Sequence, residues 1–304
     1  MSKPHSLKPG DTIGIAASAS PFDRNEFLKG VENLKSLGFK VFYRDDIFNR
    51  ERYLAGSDQR RGEELEELIE NPEIKAVLFA RGGYGMMRLL PWLHKKTFKS
   101  SPKIVLGYSD ITTFLNYLYQ KYGWVTFYGP VVAKDLSSNL NNETKKHFFS
   151  ALTQSTPLGP FQFAETASLR GGSCEGIVVG GCLSLVVSSL GTPFEINTDN
   201  KILFLEDTNE KPYSIDRMLT QLLLAGKLKK VKGILFGSLV NGGELLHFRE
   251  AVEDVLKNFA GPILFNFPAG HSPMKVTLPL GIKARLDADK KEFKYLEASC
   301  EEAS

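Results

Sequence analysis

The first half of the chain alternates short apolar runs with longer amphipathic stretches, and this rhythm restricts the fold more than any other feature. "DTIGIAAS", "FKVFYRD", "IKAVLFAR", "KIVLG" and "GWVTFYGP" read as strands. Between them, "NEFLKGVENLKSLG", "SDQRRGEELEELIENPE", "MMRLLPWL" and the stretch after Ser109 carry apolar residues at helical spacing. Gly38 closes the first of these helices, and Ser57 or Asp58 caps the second. Parallel strands need long crossover connections, usually helices. The rhythm therefore predicts a parallel, Rossmann-like or flavodoxin-like sheet covered by helices.

From about Asp135 the rhythm stops. "KDLSSNLNNETKKHFFSALTQSTPLGPFQF" is polar, with one short helical patch. A second α/β body begins near "SCEGIVVGGCLSLVVSSLGTPF". It continues through strand "KILFLE", helix "SIDRMLTQLLLAGKL", strand "KGILFGSL", helix "LLHFREAVEDVLKNFA" and strand "GPILFNFP". The closing "KARLDADKKEFKYLEA" alternates as one or two antiparallel strands, which makes this body mixed. The expected division is an N-terminal domain over 1–134, a linker over 135–173 and a C-terminal domain over 174–304. The length of 304 residues fits two domains.

Composition excludes several function classes. A formal net charge of +3 and the absence of basic–aromatic interleaving give no case for nucleic-acid binding. The short basic run "KLKKVK" reads as a helix end on a solvated face. No run approaches the roughly 20 apolar residues of a membrane span, and no signal-peptide pattern opens the chain. A cytoplasmic location is expected. Cys174, Cys182 and Cys300 have no metal-type spacing, so neither metal nor cofactor is expected.

Chemistry in open α/β sheets collects at the carboxyl ends of strands. Ser109 and Asp110 follow "KIVLGY". Arg81, Gly82, Gly83 and Tyr84 follow "IKAVLFA" in a glycine turn that lacks the third glycine of a dinucleotide fingerprint. Glu206 and Asp207 end "ILFL". Adjacent strand residues point to opposite faces, so at most one of these two carboxylates should face a site. His271 follows "PILFNFPAG" and is the one histidine of five with strand-end context. On its own stretch, Ser109 reads first as a helix cap and second as a nucleophile. The set Ser, Glu and His at strand ends is what acyl transfer requires. Its chain order matches that of α/β-hydrolases, although "GYSDI" has Ile111 where the second glycine of G-x-S-x-G would stand.

Along nearly its whole length the chain resembles the LD-carboxypeptidases, a serine peptidase family that includes murein tetrapeptide carboxypeptidases and microcin C self-immunity proteins. The resemblance rests on "RGGYG", "GYSDIT", "GTPF", "FLEDTNEKPYSIDRML" and "GHSPMKVTLPLG". It implies a triad of Ser109, Glu206 and His271 in a cleft between two α/β domains. It implies an oxyanion hole from the Asp110 N–H and the Gly82–Gly83 turn, and substrate contacts from Arg81 and Tyr84. The implied reaction removes the terminal D-Ala of murein tetrapeptide in peptidoglycan recycling or remodelling, by a homodimer. A microcin C-type acyl-aminoacyl-nucleotide is the alternative substrate, and a non-catalytic peptide- or sugar-binding module the alternative class. Trp92 and Trp124 fall in regular elements, which favours the cell-wall substrate over one with a base to stack. The sequence departs from the family at Cys182, where an asparagine is common, and at Ser272, where glycine is common.

Overall fold

The computed structural model describes residues 1–302 apart from Asn139. The first half runs β1 (Thr12–Ala16), α1 (Arg24–Ser36), β2 (Lys40–Phe42), α2 (Asp58–Glu70), β3 (Ile74–Phe79), α3 (Met86–His94), β4 (Ile104–Gly107), α4 (Thr112–Tyr122) and β5 (Thr126–Tyr128). Local chemistry sets these boundaries. The Asp23 carboxylate accepts the Glu26 N–H at the start of α1, and the Ser57 hydroxyl accepts the Arg60 N–H at the start of α2. Gly123 ends α4 in the left-handed region, where glycine is favoured. The five strands are parallel in the order β2-β1-β3-β4-β5. That is the flavodoxin-like order, which gathers strand ends at one crevice.

The second half holds α5 (Asn142–Thr153), β6 (Ala167–Arg170), β7 (Ser173–Cys182), α6 (Leu183–Ser188), β8 (Lys201–Thr208), α7 (Pro212–Leu224), β9 (Gly233–Val240), α8 (Leu245–Val255), β10 (Ile263–Phe265), β11 (Leu278–Leu280), β12 (Lys283–Asp287) and β13 (Glu292–Tyr295). Its sheet order is β13-β12-β7-β8-β9-β10-β6. Strands β7 to β10 are parallel, while β6 and β12 run antiparallel to their neighbours and β13 to β12.

Two elements lie where the sequence did not put strands. The segment expected as a linker, 135–173, contains α5 and also β6, which pairs with β10. Its residues "ASLR" are all half-buried, and four residues are too few for their alternation to stand out, as suits an exposed edge. Strand β11 crosses back and pairs antiparallel with β5 at the edge of the first sheet. Its central Pro279 argues against a strand interior and is tolerated at an edge.

The halves meet through apolar and polar contacts. One core cluster contains Leu115, Val125 and Phe127 together with Val178, Phe204, Leu235 and Phe267. A second cluster lies under α6, α7 and α8. Asn116 of α4 donates to the Gly180 carbonyl at 2.8 Å and accepts the Gly180 N–H at 3.1 Å, so it pairs with β7 as a strand would. The Thr112 hydroxyl accepts the Cys182 N–H at 3.0 Å. Among the described residues no helix is long and apolar enough to cross a membrane.

Candidate active site

Strand β4 ends in Gly107, and a single 3-10 turn, Ser109–Ile111, leads into α4. Ser109 sits in that turn with φ +62°, a strained position for a residue other than glycine. Neither the turn nor α4 has a side-chain cap, so the serine hydroxyl is not spent as a helix cap. The backbone thus forms a sharp strand-to-helix elbow that presents Ser109 at the top of the sheet.

The turn after β3 closes over this elbow. A Cβ added to Gly82 would stand 2.9 Å from Ser109 Cβ and 3.1 Å from its Oγ. Only a glycine lets the two backbones come so close. The N–H groups of Gly82, Gly83 and Asp110 have no partner among the described residues. The Asp110 carboxylate accepts the Met86 N–H at 2.7 Å, which joins the Ser109 turn to the start of α3. Its Oδ1 is buried without a partner, and burial pushes this carboxyl up to about 7.

Glu206 lies at the carboxyl end of β8, where the register with β9 shifts. Such irregularities re-aim side chains. Its Oε2 accepts His271 Nδ1 at 2.7 Å and the His271 backbone N–H at 3.1 Å. Gly270, at φ +92°, makes room, since a Cβ there would sit 2.3 Å from Glu206 Oε2. Asp207 points the other way and accepts the Ser184 N–H at 2.8 Å and the Thr208 N–H at 2.8 Å. Burial and the neighbouring Glu206 push it up to about 6. The two adjacent carboxylates therefore serve opposite faces, and no metal-type cluster occurs among the described residues.

Ser109, His271, Arg81, Gly82 and Gly83 line one cleft of about 450 Å³ between the two halves. No hydrogen bond joins the Ser109 hydroxyl to His271 among the described residues. Catalytic contacts of this kind often tighten only with substrate. Arg81 is exposed, and its one hydrogen bond goes to the Pro21 carbonyl at 2.9 Å. No salt bridge joins Arg81 to Glu206 or Asp207 among the described residues. Tyr84 is not among the residues that line this cleft; its exposed ring packs on Tyr53 at 5.8 Å. Cys182 is buried at the start of α6, and its thiol donates to Asp207 at 3.4 Å. Ser272 is buried, and its hydroxyl donates to the Met274 carbonyl.

Several residues in and around the cleft escaped the sequence reading. Tyr108 sets its ring edgewise on His271, 4.8 Å between centroids, and Lys275 pairs with Asp135 at 3.2 Å beneath it. Tyr128 links Ser109 to Glu206. An aromatic residue in an apolar strand reads as core, so nothing flagged it. Asn209 and Asn241 line the cleft with φ +64° and +62°, just past β8 and β9. Their strand-end position was the signal that could have found them.

A strained serine elbow, a carboxylate-bound histidine and a two-sheet α/β scaffold define the class of two-domain serine hydrolases. Residues 13–129 match the LD-carboxypeptidase N-terminal domain and residues 175–286 the LD-carboxypeptidase C-terminal domain. The chain belongs to the LD-carboxypeptidase family. It is 38% identical to a probable murein peptide carboxypeptidase of Bacillus subtilis, over 95% of this chain and 92% of that one. It is 31% identical to the microcin C7 self-immunity protein MccF of Escherichia coli, over 96% and 94%. The solved structure of MccF in complex with glutamyl sulfamoyl guanosine superposes with a TM-score of 0.89 at 29% identity, covering 98% of this chain and 99% of that one. The muramoyltetrapeptide carboxypeptidase of Oxalobacter formigenes gives 0.83 at 29% identity, covering 96% and 100%.

Proposed function

We propose that Ser109, His271 and Glu206 hydrolyse the amide between an L centre and a terminal D-amino acid, with murein tetrapeptide as substrate. The observation that carries this reading is the Glu206–His271 pair lining the same cleft as the strained Ser109 elbow. Glu206 holds Nδ1, so Nδ1 carries the ring proton and Nε2 keeps its lone pair. Nε2 takes the Ser109 proton as Oγ attacks the diaminopimelate carbonyl. The carbonyl oxygen becomes an oxyanion, and the unpartnered N–H groups of Asp110 and the Gly82–Gly83 turn receive it. The imidazolium then gives its proton to the leaving D-Ala amine. Water, deprotonated by His271, releases the acyl group and restores Ser109.

The walls of the cleft suit a short zwitterionic peptide. Arg81 and Lys134 offer cations, Glu26 a carboxylate, and Asn209 and Asn241 amides. The tetrapeptide carries free carboxylates and an ammonium group. Neither tryptophan lines the cleft; Trp92 packs on Gly62 and Trp124 on Phe98 and Tyr122. A nucleoside base would find Phe22 and Tyr108 as its aromatic neighbours there. A cytoplasmic recycling role and a homodimer belong to the same proposal, and light scattering of the purified chain tests the second. The substrate is tested by comparing kcat/KM for L-Ala-γ-D-Glu-meso-diaminopimelate-D-Ala and for a glutamyl sulfamoyl nucleoside. A preference of at least about tenfold for the tetrapeptide, about 1.4 kcal/mol, is expected. The reverse preference assigns the nucleotide-conjugate role that MccF-type relatives suggest. Turnover of neither leaves the binding-module reading.

A further inference from the structure

Tyr128 is the last residue of β5, paired beside Gly107 at the end of β4. Its ring is buried between the two halves of the molecule. Phe204 lies against it edgewise at 5.2 Å, and a Cβ at Gly181 would stand 2.8 Å from its Cε2. Two hydrogen bonds tie its oxygen to the candidate site, and the Thr112 hydroxyl is a further polar neighbour. The Ser109 N–H donates to it at 3.1 Å, and the phenol donates to Glu206 Oε1. The direction of the bonds is fixed by counting. An amide N–H can only donate, so it uses an oxygen lone pair, and the single phenolic proton must go to the carboxylate. Burial and Glu206 hold the phenol far above its ordinary pKa, so that proton stays in place throughout the working pH range.

We propose that Tyr128 is a positioning residue that locks the nucleophile turn of the first half to the Glu206–His271 pair of the second. The proposal rests on the assignment of those three residues as the triad. It explains why Ser109 holds a left-handed φ, because the Tyr128 oxygen captures the N–H that this conformation turns away from α4. It also divides the backbone donors. The Ser109 N–H is occupied, so the developing oxyanion is left to Asp110 and the glycine turn. Glu206 is shared in the same way, with Oε1 taken by Tyr128 and Oε2 by His271. One hydroxyl thus sets the separation of Ser109 and His271 without touching the substrate.

The test combines kinetics with a probe of Ser109. Tyr128→Phe removes one oxygen and is expected to lower kcat about 10- to 100-fold with KM within about twofold. Because Tyr128 acts through Glu206, adding Tyr128→Phe to Glu206→Gln should slow that variant by no more than about twofold. A second readout keeps the phenol intact. With 3-fluorotyrosine at position 128, the ¹⁹F resonance should shift when a fluorophosphonate labels Ser109. Labelling with an unmoved resonance, kcat of Tyr128→Phe within twofold of wild type, or additive effects of the two substitutions overturns the role of Tyr128 alone. A probe that fails to label Ser109 overturns the nucleophile assignment and this role with it.

Discussion

Single atoms decide the chemistry at Ser109. Gly82 is the clearest case, because its Cα faces Ser109 with no space for a methyl group. Gly82→Ala should lower kcat by about 10²-fold, the loss typical of one oxyanion-hole donor. Steady-state kinetics beside a thermal melt checks this, with a lowered melting temperature also expected, since the added methyl must displace the Ser109 turn. Asp110 gives a pH prediction. Burial pushes its folded-state carboxyl up to about 7, well above the ordinary carboxyl range. The folded protein therefore keeps a proton that the unfolded chain gives up. That contribution to stability is complete below about pH 4 and is lost as pH rises through about 7. Glu64, raised to about 7, and Asp207, raised to about 6, share the sign. Urea unfolding at pH 5 and pH 8 should show wild type losing stability. Asp110→Asn should lose less, by no more than about 3 kcal/mol between these two pH values. An identical slope in the variant contradicts the burial argument.

At the level of elements, α4 and β7 carry the joint between the halves. Asn116→Ala strips both partners from the buried Gly180 backbone. Each orphaned group costs about 1–3 kcal/mol, so a loss of about 2–6 kcal/mol in urea unfolding is expected. The same joint marks the limit of what the sequence discloses. The strand–helix rhythm reveals β1, β3 and β4 as buried apolar runs, and β2 and β5 by their place between helical stretches. It points to Ser109, Glu206 and His271 because each lies at or shortly after the end of an apolar run. It misses β6 and β11, whose pairing is decided by distant partners, since "ASLR" is too short to mark a strand and "LPL" has a proline at its centre. It misses Tyr128 for a related reason. The ring is indistinguishable from core until Ser109 and Glu206, 19 and 78 residues away, are seen to meet at its oxygen.

Across the whole molecule, the two sheets are one cooperative body. The C-terminal half lends β11 to the first sheet, and one core cluster draws residues from both. Calorimetry should therefore give a single unfolding transition, with calorimetric and van't Hoff enthalpies equal. Two resolved transitions would contradict a shared core. This integration matters for function because Ser109 belongs to one sheet and the Glu206–His271 pair to the other. Relative motion of the sheets would misplace the nucleophile, and a misplacement of about 1 Å can cost 10²-fold in rate.

The central claim is that Ser109 is the nucleophile of an LD-carboxypeptidase reaction. The direct test incubates the purified chain and its Ser109→Ala variant with meso-diaminopimelate tetrapeptide and follows D-Ala by mass spectrometry. Release by wild type, with Ser109→Ala folded and at least about 10³-fold slower, is the predicted result. Equal release by both proteins would contradict the claim.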